Sequence, residues 1–166
     1  LVEPYSLEQE QAIESAIYIA DEFSITPELT VYGGLRYSIY SFLGPKTIYQ
    51  YYQGVPLDPV NIIDTVSHGP GAFIKTYSGP EWRINIRYRI TPNSSVKISY
   101  NRLRQYLSML SNTTAVSPTD TWKLSDPYIR PQIGDQVALG LYKDFRSQRI
   151  ETSLELYYKN IRDMIE

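Results

Sequence analysis

The strictest pattern in this chain is the alternation of apolar and polar residues from position 82 to position 90. Successive side chains of a β-strand point to opposite faces of a sheet, so a period of two predicts a strand here. One face carries Trp82, Ile84, Ile86, Tyr88 and Ile90, and the other carries Arg83, Asn85, Arg87 and Arg89. An apolar row opposite an arginine-rich row requires two different environments on the two sides of one sheet.

Five other segments show comparable strand patterns, which gives about six strands in all. The segments span approximately residues 12–25, 29–42, 82–90, 95–107, 135–145 and 149–161. The short connections "TPE", "TPNSS" and "RSQR" join them in consecutive pairs, and proline, asparagine and serine are typical turn residues. The predicted fold class is therefore all-β, an antiparallel up-and-down meander of about six long strands.

The connections between these pairs are long. We predict irregular loops over residues 43–81 and 108–132, because Gly-Pro pairs at 44–45, 69–70 and 79–80 punctuate the first of them. Compact soluble domains rarely keep structureless connections beyond about 12 to 15 residues unless these have a function. If all strands are antiparallel neighbours, the long loops emerge at one rim of the sheet and the short turns at the other.

Two architectures fit these patterns. Half-buried antiparallel sheets of soluble proteins also alternate between apolar and polar residues, so a secreted module that binds carbohydrate or protein is one interpretation. In that case the faces of Trp82 and Leu154 pack on each other across a core. Long strands, aromatic residues near strand ends and alternating short and long connections favour the other interpretation, a membrane-spanning β-barrel.

In the barrel interpretation the apolar face contacts lipid and the polar face lines a wet interior. The predicted lipid-facing residues are Trp82, Ile84, Ile86, Tyr88, Ile90, Leu139, Leu141, Leu154 and Leu156. The predicted lumen-facing residues are Arg83, Asn85, Arg87, Arg89, Glu151 and Glu155. We expect the arginines to pair with carboxylates of a plug or of neighbouring strands.

The alternation loses its phase in "NRLRQYL", residues 101–107. There Arg102 and Arg104 fall in line with the apolar Val96 and Ile98. Two explanations are open: a β-bulge resets the register, or the strand rises out of the membrane at this point.

Tyrosine is unusually frequent, with 16 residues against four phenylalanines and two tryptophans. Tyrosine and tryptophan have an apolar ring and a polar tip, so they suit wet boundaries and stack on flat ligands. The loop residues predicted to bind a ligand are Tyr49, Tyr51, Tyr52 and Trp122. The alternative is that these rings only pack the loops onto one another.

Several function classes lack support in the sequence. A net charge of −2 provides no basic field for nucleic acid, and no run of 18 apolar residues predicts a spanning helix. The chain has no cysteine, and we expect its one histidine, His68, to lie in a solvated loop rather than a metal site. No nucleophile, acid or base constellation occurs, so we expect neither catalytic residues nor a cofactor.

The stretches "YIADEFSITPELTVYGGLRYS", "SYNRLRQYLSMLSNTTAVSPTDTWKLSDPYIRPQIGDQVALGLYKDF" and "ETSLELYYKNIRDMIE" resemble barrel strands of TonB-dependent outer-membrane receptors. The similarity covers nearly the whole chain from about Ser15. Among these receptors, the sequence most resembles those from Bacteroidetes. It rests on diffuse strand patterns rather than on a compact motif.

The resemblance implies a 22-stranded barrel filled by an N-terminal plug. Such a receptor lies in the bacterial outer membrane and imports a scarce ligand such as a ferric chelate, cobalamin or an oligosaccharide. It draws energy from a TonB-type inner-membrane complex through a short box near the N-terminus.

The sequence contains neither plug nor box and lacks a terminal aromatic residue at Glu166, so we expect residues 1–166 to be a single partial barrel segment. Its implied partners are outer-membrane lipid, the plug and the remaining strands, and we expect it to self-associate when isolated.

Overall fold

The computed structural model describes residues 9–110, 121–145 and 150–165. Over these residues it contains ten β-strands: β1 Gln11–Ser24, β2 Leu29–Leu43, β3 Lys46–Tyr51, β4 Ile62–His68, β5 Phe73–Thr91, β6 Ser94–Gln105, β7 Leu107–Leu110, β8 Thr121–Leu124, β9 Gln132–Phe145 and β10 Ile150–Arg162. A short 3-10 helix spans Pro59–Asn61. No helix in the described part of the chain is long and apolar enough to cross a membrane.

Six of the strands form one sheet in the order β1-β2-β5-β6-β9-β10. Neighbours in the sheet follow one another among the long strands of the chain, so the predicted all-β antiparallel meander of six strands is confirmed. Two small hairpins, β3 with β4 and β7 with β8, make separate two-stranded sheets. The predicted turn "RSQR" lies outside the described residues.

The expectation of an irregular connection over residues 43–81 was wrong. This stretch contains the β3–β4 hairpin, and β5 already begins at Phe73 rather than at Trp82. Gly79 and Pro80 suggested a loop, yet both lie inside β5. A strand tolerates proline where no ladder hydrogen bond needs its nitrogen, and the β5–β6 pairs begin beyond it, at Arg83. Part of the second predicted loop, residues 111–120, is outside the described residues.

Contacts between residues group the chain into two compact units. The loop unit comprises Leu1–Glu14, Tyr40–Tyr77 and Leu107–Arg130. The sheet unit comprises Ser15–Ile39, Ser78–Tyr106 and Pro131–Glu166. The fully buried Phe42 lies in the loop unit, beside Tyr40, whose hydroxyl donates to the carbonyl of Ser125 at 2.8 Å.

The apolar face of the sheet unit consists of three rows that cross β5, β6, β9 and β10 in register. The rows are Tyr88, Val96, Leu141 and Leu154, then Ile86, Ile98, Leu139 and Leu156, then Ile84, Tyr100, Val137 and Tyr158. In the middle row the exposed fractions run from 39% for Ile86 to 63% for Leu156. This face is therefore open in the described sheet unit.

The register of β6 settles the phase break seen in the sequence. β6 pairs with β9 without interruption from Ser94 to Gln105, so no bulge resets the face of Arg102. Arg102 lies opposite Asp135, one row beyond Tyr100 and Val137. The strand thus continues past its apolar rows into a charged one, and the bulge explanation was wrong for this part of β6.

Gly140 and Tyr142 show how closely the polar face packs. A Cβ added at Gly140 would lie 2.8 Å from a ring carbon of Tyr142. The Tyr142 hydroxyl donates to Glu155 Oε1 at 2.7 Å, and Glu155 lies directly opposite Gly140 on β10. The tyrosine ring therefore covers the glycine, and its hydrogen bond to the next strand holds it there.

We predict that Gly140→Ala destabilises the sheet, because the new methyl group forces the Tyr142 ring off Glu155. The free energy of unfolding should fall by about 1 to 3 kcal/mol, as is typical for overpacking. Gly33→Ala is the matched control, since a Cβ at Gly33 meets nothing within 4 Å. Urea unfolding of both variants measures the difference, and equal stabilities would contradict the packing described here.

Candidate functional site

On the polar face of the sheet unit, Arg36 forms an ion pair with the buried carboxylate of Glu81. Arg36 Nη1 donates to both carboxylate oxygens of Glu81, at 3.0 and 3.2 Å, and Glu81 is only 3% exposed. A buried carboxylate needs such a partner, because desolvation without one is costly. The sequence did not indicate this pair, since its members are 45 residues apart and become neighbours only through the β2–β5 pairing.

The arginine row of β5 lies on that same face and lines two open concavities. Arg83 and Asn85 line one of about 530 Å³, while Arg87, Arg89 and Glu151 line another of about 460 Å³. The register places Arg83 opposite Asn101, Asn85 opposite Ser99, Arg87 opposite Lys97 and Arg89 opposite Ser95.

Among the described residues, the arginines of this row form no ion pair with Glu151 or Glu155. Glu155 accepts from Tyr142, and Arg89 donates to the backbone carbonyl of Pro27. By register, the residues predicted to be lumen-facing share one face of the sheet, and pairing of the arginines with carboxylates of a plug stays a prediction.

A charged cluster borders the apolar rows of the opposite face. Asp135 accepts from Arg102 Nε at 2.7 Å and Nη2 at 3.1 Å, from the Tyr100 hydroxyl at 2.7 Å and from Arg162 at 2.9 Å. These donors come from β6 and β10, on either side of Asp135 in β9. The sequence alone marked only Arg102 as out of phase, because finding its partner requires the register.

The aromatic residues predicted to bind a ligand all lie in the loop unit. Tyr49 and Tyr51 belong to β3, and they meet at Tyr128, which the sequence did not single out. The rings of Tyr51 and Tyr128 stand edge to face with centroids 5.8 Å apart, and the Tyr128 hydroxyl donates to the Tyr49 carbonyl. Burial raises the pKa of Tyr128, and the charges of Tyr51 and Asp126 raise it further to a smaller extent. The Tyr128 hydroxyl therefore stays protonated and can donate.

The other two candidates stand apart from this cluster. Tyr52 is 60% exposed and Trp122 is 62% exposed. Trp122 lies opposite Met109 in the β7–β8 hairpin and makes no ring contact with the described aromatic residues. The alternative that all these rings only pack the loops together fits Tyr51, but not the two most exposed rings.

A tight turn after β8 carries Tyr128. The carboxylate of Asp126 accepts from the backbone N–H groups of Tyr128 and Ile129, both at 2.8 Å, which closes the turn. The Tyr77 hydroxyl donates to the carbonyl of Asp126 at 2.7 Å. These bonds fix the position of the Tyr128 ring.

Lys123 joins this turn to the start of the chain. Its ammonium group donates to Glu10 and lies 3.0 Å from Asp126, while Glu10 also accepts from the Leu124 N–H at 3.2 Å. Partial burial opposes protonation of Lys123, but the hydrogen bonds to Glu10 and Asp126 outweigh it and raise its pKa. This one cation therefore holds two carboxylates that are 12% and 14% exposed.

The single histidine is part of a strand rather than of the solvated loop that we expected. His68 ends β4 opposite Lys46, and it is half-buried. Asp58 accepts from the N–H of Val60 at 3.0 Å and caps the 3-10 helix. Among the residues that the structure describes, no three histidine or acidic side chains group as metal ligands.

We predict that Lys123→Met destabilises the loop unit, because it leaves the carboxylates of Glu10 and Asp126 without their shared cation. The free energy of unfolding at neutral pH should fall by about 1 to 3 kcal/mol. Lys75→Met is the control, since Lys75 contacts the Tyr77 ring at 5.6 Å and no carboxylate at ion-pair distance among the described residues. Urea unfolding followed by tryptophan fluorescence gives both values.

The loss of stability caused by Lys123→Met should depend on pH. The folded-state pKa of Lys123 is raised, so its stabilising contribution is complete below the ordinary lysine pKa and is lost as the pH rises through the raised value. The stability difference between the natural chain and Lys123→Met should therefore narrow at strongly alkaline pH. A difference that is constant across this range would show that the charge of Lys123 is not its cause.

The comparisons with known proteins place the chain in a family. A family model described as "TonB dependent receptor-like, beta-barrel" matches residues 4–166. Neither curated proteins nor solved structures gave a match. The family consists of outer-membrane transporters rather than enzymes, and its members work with a plug and a TonB-type complex. With nearly its whole length matched and its six-stranded antiparallel sheet, the chain belongs to the TonB-dependent receptor β-barrel family.

Proposed function

We propose that this chain forms part of the barrel wall of a bacterial outer-membrane transporter that captures and imports a scarce ligand. The observation that carries the proposal is the sheet unit, with three exposed apolar rows on one face and arginines, lysines and amides on the other. Lipid covers the first face, and the second lines the wet interior that the plug occupies.

The dimensions of the apolar face support contact with a membrane. Trp82 to Ile90 spans eight residue steps on β5, or about 27 Å along the strand. At a tilt of about 40° this covers about 21 Å along the membrane normal, close to the roughly 25 Å apolar band of outer-membrane barrels. Tyr100 and Tyr158 lie at one margin of the three rows and Tyr88 at the other, which is the position of an aromatic girdle.

The soluble interpretation predicts that the faces of Trp82 and Leu154 pack on each other across a core. Instead both residues belong to one sheet, and they are 39% and 59% exposed. This arrangement favours the lipid-facing role for Trp82, Leu154 and the other residues of that face.

The two edges of the sheet support a role within a larger barrel. β1 and β10, of 14 and 13 residues, each have one neighbour among the described strands. Long open edges promote association with other chains, and a barrel removes them by closure. In the proposed transporter the remaining barrel strands pair with both edges, a plug fills the lumen beside the polar face, and a TonB-type complex supplies energy.

Ligand capture is assigned to the loop unit. Tyr52 and Trp122 are the most exposed of the four predicted rings and can stack on a sugar, a chelate or a corrin ring, whereas Tyr128 holds Tyr49 and Tyr51 in β3. The ligand belongs to one of three classes: ferric chelate, cobalamin or oligosaccharide.

The two tryptophans allow a direct test of the membrane role. We predict that brominated phospholipid quenches the fluorescence of Trp82 in a Trp122→Phe variant reconstituted in vesicles, because Trp82 lies on the proposed lipid-facing side. In the matched Trp82→Phe variant, only Trp122 emits, and it should show little quenching. Trp122 quenched as strongly as Trp82, or neither residue quenched in a folded chain, would reject the proposed orientation and favour a soluble module.

The capture role has a separate test. Ferrichrome, cobalamin and maltoheptaose are titrated against the Trp82→Phe chain, and we predict that one of them changes the emission of Trp122. Trp122→Ala or Tyr52→Ala should then weaken its binding about 2- to 10-fold, the range expected for the loss of one aromatic contact. The exposed Val60→Ala is the control in the same unit. Unchanged affinity in both aromatic variants would exclude these rings from the ligand site.

A further inference from the structure

The apolar face of the sheet unit ends in a charged row. Arg102 of β6 and Asp135 of β9 lie directly opposite each other, one row beyond the last of the three apolar rows. Arg162 of β10 reaches the same carboxylate, with its Nη2 atom 2.9 Å from Asp135 Oδ2. By register and the period of two, all three positions share the face of Ile98 and Leu156. Arg102, Asp135 and Arg162, here called the arginine cluster, therefore lie on the face that the transport proposal assigns to lipid.

The arginine cluster has more positive charge than its one carboxylate can balance. Two guanidinium groups share Asp135, which leaves one guanidinium charge unbalanced. Arg102 donates to Asp135 through Nε and Nη2, whereas Arg162 donates through Nη2. A guanidinium group has further N–H donors, and the Arg162 side chain is 51% exposed. The cluster can therefore bind an anion without giving up its hydrogen bonds to Asp135.

The depth of the cluster matches the level of lipid headgroups. Ile86, in the middle apolar row, pairs with Ile98, and Arg102 follows on the same face of β6. From Ile98 to Arg102 the strand rises about 14 Å, or about 10 Å along the membrane normal at a tilt of about 40°. Half of the roughly 25 Å apolar band is about 12 Å. Arg102 thus lies at the border of the band, and Arg162, one row further along the sheet, lies beyond it.

Among the described residues, the opposite margin of this face has no comparable cluster. There, Lys143 lies opposite Ser94 and Thr152, and its ammonium group stands 5.0 Å from the centre of the Phe145 ring. That margin is next to the short turn between β5 and β6, whereas the arginine cluster lies at the other end of the strands. The two leaflets of a membrane would therefore meet different charges on this sheet.

Phosphate is the anion that suits the cluster. Arg102 and Arg162 present planar groups whose paired N–H donors match two oxygens of a phosphate. Their bonds to Asp135 hold both groups in place before an anion binds, which lowers the entropy cost of binding. At the border of the apolar band, a phosphate that carries acyl chains contacts the arginines and the apolar rows together, which a free phosphate ion cannot do.

We propose that the arginine cluster binds the anionic, phosphate-bearing headgroup of a membrane lipid whose acyl chains lie along the apolar rows. The lipid belongs to the leaflet at the end of the sheet away from the β5–β6 turn. This inference rests on the proposed lipid-facing role, and it adds to that role a preference for one class of lipid.

The test compares two vesicle preparations that differ only in which lipid is brominated. Both contain equal amounts of phosphatidylglycerol and phosphatidylcholine, and the reconstituted chain carries Trp122→Phe so that only Trp82 emits. Trp82 lies at the level of Arg102, because its neighbour Arg83 pairs with Asn101. We expect brominated phosphatidylglycerol to quench Trp82 at least about twofold more than brominated phosphatidylcholine, since one arginine near a membrane surface favours anionic lipid by a factor of about five.

Two variants assign this preference to the cluster. Arg162→Gln should remove most of it, because Asp135 then balances the remaining Arg102 and keeps its bonds to that residue. Arg87→Gln is the matched control, since it removes the same charge from the opposite face, and it should leave the preference unchanged. The chain has a net charge of −2, so general attraction to anionic lipid is not expected.

The outcomes separate this inference from the membrane role. Equal quenching by the two brominated lipids, or an equal loss of preference in both arginine variants, would overturn the inference and leave the lipid-facing role of Trp82 intact. Absence of quenching by either lipid in a folded chain would overturn both.

Discussion

The register across β5, β6, β9 and β10, which on β5 is unbroken from Arg83 to Arg89, is the constraint on which the rest of the sheet unit depends. Side chains in a strand alternate with a period of two, so a slip of one residue in any pairing would exchange apolar and charged side chains between faces. The same register aligns the three apolar rows on one face and Arg83 with Lys159 on the other. Lipid contact, as proposed here, and the grouping of cations on the polar face therefore depend on one set of backbone hydrogen bonds.

Charge is distributed unevenly over this framework. Glu81, which is buried, has Arg36 as its cationic partner, and the half-buried Asp135 has Arg102. Several cations of the polar face, among them Arg83, lack such partners in the described residues. Buried carboxylates must be paired because of their desolvation cost, whereas exposed arginines are solvated and remain available to a ligand or to another part of the protein.

The loop unit is ordered by a different kind of interaction. Its regular structure consists of short strands, the ends of longer ones and a 3-10 helix, and polar contacts complete it. Lys123 holds Glu10 and the Asp126 turn, and this turn positions Tyr128 beside β3. Segments that rely on a few charge-assisted contacts can vary in sequence more freely than a sheet in register, which suits a surface that recognises one particular ligand.

The sequence by itself determined the long strands and the two faces of the sheet, because the period of two is a local property that needs no knowledge of neighbours. It failed at Gly79 and Pro80, where turn-forming residues lie within β5, and it missed both small hairpins, whose strands are short and weakly patterned. Only the tertiary structure decided which charges meet. Asp135 joins arginines 33 and 27 residues away, and such partners are set by strand order and register rather than by any local pattern.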